Sequence, residues 1–169
     1  MAGGIVMGKR RDYENFPISL ALFDAVPVIL FSIAMIIIAV NYNNWIFITG
    51  AALCTFAGLG KVIWKIIIAA TKKDIVILNR QLRFVMPLGF LCIIAGLITG
   101  MDRAGWVLLW KNVTTFPQII MFIITFAGMV MMGVFAKKLD PAKTKSNWIE
   151  QITNAVAQGC LLIGVLLCL

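Results

Sequence analysis

The stretch Ile18–Val40, ISLALFDAVPVILFSIAMIIIAV, is a nearly unbroken apolar run with one acid, Asp24, inside it. At a rise of about 1.5 Å per residue it forms a helix roughly 34 Å long, enough to span a hydrocarbon core of about 30 Å. Pro17 suits the first turn of such a helix, where its missing N–H costs nothing. Lys9, Arg10 and Arg11 precede the run, a charge layout shared with secretory leaders. A leader's apolar region is shorter, however, and would not carry both Asp24 and Pro27, so the run reads as a retained helix.

Four more apolar runs follow, at about 45–69, 84–101, 116–136 and 148–168. The chain is 62% hydrophobic with a mean hydropathy of +0.99, against about 45–50% apolar residues in soluble domains. A soluble core cannot hide that much apolar surface, so lipid must be the solvent. The fold class expected is all-α: one membrane domain over residues 1–169, an integral bundle of five transmembrane helices. Segment 71–83 alternates Lys and Arg with Ile75, Val76, Ile77, Leu78 and Leu82. It reads as an interfacial helix on the cytoplasmic side, or as an extension of the third span. Residues 102–115, with Trp106 and Trp110, read as a loop, and Asn147 with Glu150 resembles a capping box opening the fifth span.

Five crossings place the two ends on opposite faces, and the charges orient them. Of the 15 basic residues, only Arg103 and Lys111 fall on the face opposite Lys9–Arg11, Lys61, Lys65, Lys72, Lys73, Arg80, Arg83, Lys137, Lys138, Lys143 and Lys145. The bias of basic loops toward the cytoplasm makes the amino terminus cytoplasmic and the carboxyl terminus external. Tyr13, Tyr42, Trp45, Trp64, Trp106, Trp110 and Trp148 all fall near expected span ends, where amphipathic rings sit at headgroup level. A multi-pass cell-membrane protein of this simple topology fits a bacterial inner membrane.

A net charge of +8 would suggest nucleic acid in a soluble protein. Here it belongs to cytoplasmic loops that meet anionic headgroups, and no nucleic-acid partner is expected. There is no histidine, which removes His-ligated haem, zinc and iron and all His-based acid–base chemistry. Cys54, Cys92, Cys160 and Cys168 lie within apolar runs without a C-x-x-C pair and read as packing residues. Met129, Met131 and Met132 read as apolar filler rather than soft-metal ligands. No metal and no cofactor are expected.

The polar residues inside the spans carry the functional reading. An ionised carboxylate such as Asp24 is costly in lipid, so it faces the bundle interior with a partner. Counting back along a tight antiparallel hairpin puts Asp24 level with about Val62, which makes Lys61 the expected partner. The alternative has Lys61 snorkelling to the headgroups and Asp24 bonding a hydroxyl or water. Gln151, Asn154 and Gln158 share one face of the last span. They act as interhelical glue or, with Asp24 and Lys61, line a cavity open to the cytoplasm. Pro27 and Pro87 kink the first and third spans. Small-residue pairs Ala21/Ala25, Gly96/Gly100 and Ala155/Gly159 mark close helix contacts.

The site expected is therefore Asp24, Lys61, Asn154 and Gln158. The function expected is a solute- or ion-binding or transport component, for which another membrane-protein subunit is the natural partner. The alternative is a structural, regulatory or protective partner of another membrane protein. An enzyme is not expected, because neither a nucleophile–base pair nor a carboxylate dyad is visible.

Overall fold

The computed structural model describes residues 17–71, 75–140 and 143–169. Lys9, Arg10, Arg11, Tyr13, Lys72 and Lys73, which carry part of the orientation reading, lie outside them. Every regular element among the described residues is a helix: α1 (Ile18–Phe23), α2 (Ala25–Tyr42), α3 (Trp45–Thr71), α4 (Val76–Gly100), α5 (Arg103–Thr114), α6 (Gln118–Lys138) and α7 (Thr144–Leu167). Four stretches are long and apolar enough to cross a membrane: Ile18–Tyr42, Trp45–Thr71, Gln118–Lys138 and Thr144–Leu167. The apolar part of α4, Phe84–Gly100, is shorter. This composition is compatible with a multi-pass membrane protein.

Helices α1 and α2 are one rod interrupted at Asp24. Pro27 has no N–H to offer the Phe23 carbonyl one turn earlier, and the hydrogen-bond ladder breaks there. The turn into α3 is tighter than the sequence suggests, because α2 runs on to Tyr42. Asn43 takes the left-handed conformation, at φ 42°, which Asn tolerates better than most residues. Asn44 Oδ1 then accepts from the N–H groups of Ile46 and Phe47, both at 3.0 Å, and caps α3. Two adjacent asparagines thus close one helix and open the next.

Helices α3 and α4 pack antiparallel along much of their length. A Cβ added to Gly50 would lie 2.6 Å from the Gly89 oxygen and the Ile93 nitrogen, and one added to Gly96 would lie 2.5 Å from the Phe47 nitrogen. In lipid there is no hydrophobic drive between helices, so close backbone approach through small residues supplies the dispersion energy. At the far end the Tyr42 hydroxyl donates to the carbonyls of Gly96 and Leu97 at 3.1 and 2.9 Å. α4 is continuous through Pro87, and residues 76–83 are part of it rather than a separate interfacial helix.

Four sequence expectations are corrected. Residues 103–114 form α5 rather than a loop; the Asp102 carboxylate caps it by accepting from Gly105 N at 2.7 Å. None of its residues is buried, and Trp106 and Trp110 stand exposed. Trp64 does not stand on the outer surface of the bundle: it is buried with Leu20, Ala21, Ile68 and Ala69. Asn147 does not cap α7, which begins three residues earlier at Thr144; Asn147 lies inside the helix and donates to the Lys143 carbonyl at 3.1 Å. The partner of Asp24 is not Lys61, as set out below.

α6 and α7 are antiparallel, with Gly128 against Ala157 and Gly164 against Met121 and Phe122. α7 runs parallel to the first rod: Phe23 meets Trp148 with ring centroids 5.4 Å apart, Leu30 meets Gly159, and Val165 packs in one cluster with Ala34 and Met35. The packed neighbours therefore follow the order α4, α3, α1–α2, α7, α6, with α5 attached to α6. Among the described residues α4 and α6 do not pack on each other along their lengths, so these helices form an arc rather than a ring.

Gly50→Leu should lower stability by at least the 1–3 kcal/mol typical of overpacking, because the obstruction at Gly50 is backbone. Gly133→Ala, which meets nothing within 4 Å, should be neutral or slightly stabilising. Thermal unfolding of the purified protein in mild detergent compares the two.

Candidate ligand-binding cavity

The contact between α1–α2 and α3 sets the site's register. Ser32 and Thr55 hydroxyls are 3.2 Å apart, and Gly58 faces Val28. Continuing that register, Asp24 is level with about Ile63, midway between Lys61 and Lys65. Side-chain direction decides between the two lysines. Helical side chains lean toward their own amino terminus, and the rods are antiparallel. Asp24 therefore leans back toward Leu20, and a lysine on α3 leans the other way, so the residue further along α3 meets it.

Accordingly Lys65 Nζ donates to Asp24 Oδ1 at 3.0 Å, with both side chains at or below 5% exposure. The expected Asp24–Lys61 pair is replaced by this one. Lys61, one turn away, pairs instead with Glu150 on α7 at 3.4 Å, and these side chains are 26% and 21% exposed. Neither Lys65 nor Glu150 was among the site residues expected from sequence. Glu150 stands on the polar stripe of α7, and the lean argument would have found Lys65.

Around these charges lies a cavity of about 210 Å³. Asp24, Lys61, Asn154 and Gln158 all line it, together with Pro27 at the break in the first rod. Pro87 does not line it; its neighbour Met86 does, with Phe90 of the same helix. The rest of the wall is Val28, Phe31, Cys54, Gly58, Met129 and Met132. The wall is thus mostly apolar, with one polar end. α4 contributes from one side and α6 from the other, so the cavity occupies the concave side of the arc.

The amides on α7 separate into two roles. Gln158 Nε2 donates to Asn154 Oδ1 at 3.4 Å and to the Met129 sulfur at 3.6 Å, two acceptors that together fix the amide's orientation. Its Oε1 is buried without a hydrogen-bond partner among the described residues, as is Asp24 Oδ2. Gln151 is fully buried with neither amide atom bonded, and it does not line the cavity. All four cysteines are free thiols. Cys54 is buried against α4, its thiol 3.8 Å from the Met86 carbonyl oxygen. The sulfur atoms of Cys54, Met86, Met129 and Met132 give the wall a soft, adaptable lining that hydropathy alone did not single out.

Removing one partner of a buried ion pair leaves an uncompensated charge, at a cost of about 3–5 kcal/mol. Asp24→Asn should therefore destabilise strongly by stranding the Lys65 ammonium, and Lys65→Met combined with Asp24→Asn should recover most of the loss. Lys61→Met should cost less, because its pair is partly exposed. Melting temperatures of the four proteins in one detergent provide the comparison. No family model, curated protein sequence or solved structure matches this chain.

Proposed function

We propose that the protein binds a small solute within the membrane, as a binding or transport component without catalytic activity. The observation that carries this reading is the cavity itself: a mostly apolar wall ending in buried charge, where Asp24 and Gln158 each keep one oxygen without a partner among the described residues. Buried polar groups in proteins are overwhelmingly hydrogen-bonded.

The same reading takes the chain across the bilayer five times, with the amino terminus cytoplasmic and the carboxyl terminus outside. Two directions of travel support the fifth crossing. α3 runs opposite to the first rod and ends on that rod's starting side. Gln118, at the start of α6, donates to the Leu167 carbonyl at the end of α7, and α7 is parallel to the first rod. Between the end of α3 and the start of α6 the chain must return to the other face, and α4 is the only long helix available to carry it. Its apolar part is about 25 Å long, short for a span.

A second reading is favoured by α6, where among the described residues only Gly128 is buried. So much apolar surface on one helix also suits a structural or regulatory partner of another membrane protein.

Filling the cavity with Met132→Trp should abolish retention of any small molecule that copurifies in mild detergent, while the melting temperature stays close to that of the parent. Mass spectrometry of the extracted small molecules reads the result. A structural partner would lose nothing on filling and would bring a second protein with it. A reporter that functions only outside the cytoplasm, fused after Leu169, should be active; an inactive reporter beside a cytoplasmic amino terminus would remove the fifth crossing.

A further inference from the structure

Two polar side chains in the cavity wall keep surface open, and each has hydrogen-bond donors to spare. Lys61 lines the cavity with 26% of its side chain exposed. An ammonium carries three N–H groups, and among the described residues its one acceptor is Glu150 Oε1, at a long 3.4 Å. Glu150 itself does not line the cavity. Asn154 lines it and is half-buried. Its Oδ1 accepts from Gln158, and its Nδ2 has no acceptor among the described residues. Asp24 Oδ2 and Gln158 Oε1 are closed off and take no part. The polar end of the cavity therefore offers N–H groups and calls for an acceptor.

The arc sets the other end. α4 supplies Met86 and Phe90 to the wall and α6 supplies Met129 and Met132, and no packing between these two helices along their lengths closes the space among the described residues. Both carry exposed apolar side chains, Leu91 and Ile94 on α4 and Phe126 and Val130 on α6. Resting on the binding reading above and on its five crossings, we propose that the ligand is an amphiphile of the bilayer that enters between α4 and α6: an apolar chain ending in a hydrogen-bond acceptor, a carboxylate or an ester carbonyl. The acceptor meets Lys61 and Asn154, and the chain leaves past Phe90, Met86 and Met132 toward the lipid. The methionines suit a chain of variable shape, being unbranched and adaptable. An apolar cavity of about 150 Å³ admits benzene, so about 210 Å³ holds the polar end and the first few carbons. The rest of the chain lies in the gap.

The test uses the unaltered protein in lipid nanodiscs and a dodecanoate carrying a photoreactive diazirine in mid-chain, with the labelled residues located by mass spectrometry. Label should appear at Met86, Phe90 or Met132, and excess dodecanoate should remove it; label at the outward Phe126 and Val130 should not be displaced. Dodecanoate and methyl dodecanoate should each displace the inner label about tenfold more effectively than dodecylamine or dodecane, the gain expected of one hydrogen bond to a charged group. Lys61→Met should remove most of that advantage and Lys61→Arg should keep it, while Met132→Trp should lose the inner label and retain the outer. Preference for the amine, or equal displacement by all four, would overturn the acceptor requirement and leave the cavity a binding site. An advantage unchanged in Lys61→Met would overturn the part given to Lys61. Label confined to the outward residues would overturn entry from the bilayer. The binding reading would then stand or fall separately, on whether a small molecule copurifies.

Discussion

Lys65 and Asp24 meet at 3.0 Å with almost none of either side chain exposed. In so poor a dielectric each charge alone is prohibitive, so the two must travel together. That requirement holds the first rod against α3, since slipping either helix by a turn would part Lys65 from Asp24. It also sets the break at Asp24: the helix is interrupted where the carboxylate must turn inward, and Pro27 supplies the interruption. The second pair, Lys61 with Glu150, extends the same constraint to α7. Three helices are thereby registered by four side chains, and the cavity lies beside them.

The two long interfaces on either side of this charged centre use different means. Between α3 and α4 the helices are held by backbone approach at Gly50, Gly89 and Gly96. Between α6 and α7, small residues share the contact with Thr125, whose hydroxyl lies within hydrogen-bonding distance of the Ala157 carbonyl as well as that of Met121, one turn back in its own helix. α5 stands apart from both. Its exposed Trp106 and Trp110, with Arg103 and Lys111 among them, form the kind of surface that rests at a headgroup layer.

Much of this was legible in the residues. Five apolar stretches, an acid in the first, a proline three residues beyond it and a line of amides in the last are direct readings of pattern, because lipid tolerates few polar side chains and those few stand out. The structure gathers Asp24, Lys61, Asn154 and Gln158 around one space. What the pattern did not show were matters of direction. Depth counting left two lysines equally eligible, and only the lean of side chains along antiparallel rods separates them. Trp64 obeyed a positional preference in sequence and a packing demand in space, and packing prevailed. α5 was hidden because a short helix on a surface needs no continuous apolar face; Asp102 as its cap was the available signal. The sulfur-rich wall was invisible for another reason: its members come from α3, α4 and α6, which no local window joins.

An arc of helices, unlike a ring, has two ends. Among the described residues α4 and α6 are those ends, and each gives residues to the cavity. The enclosure is thus open between α4 and α6 among the described residues. If acyl chains stand in the gap, the cavity's occupant shares a boundary with the bilayer interior. If a helix from a neighbouring protein stands there, that neighbour decides what the cavity admits and when it empties.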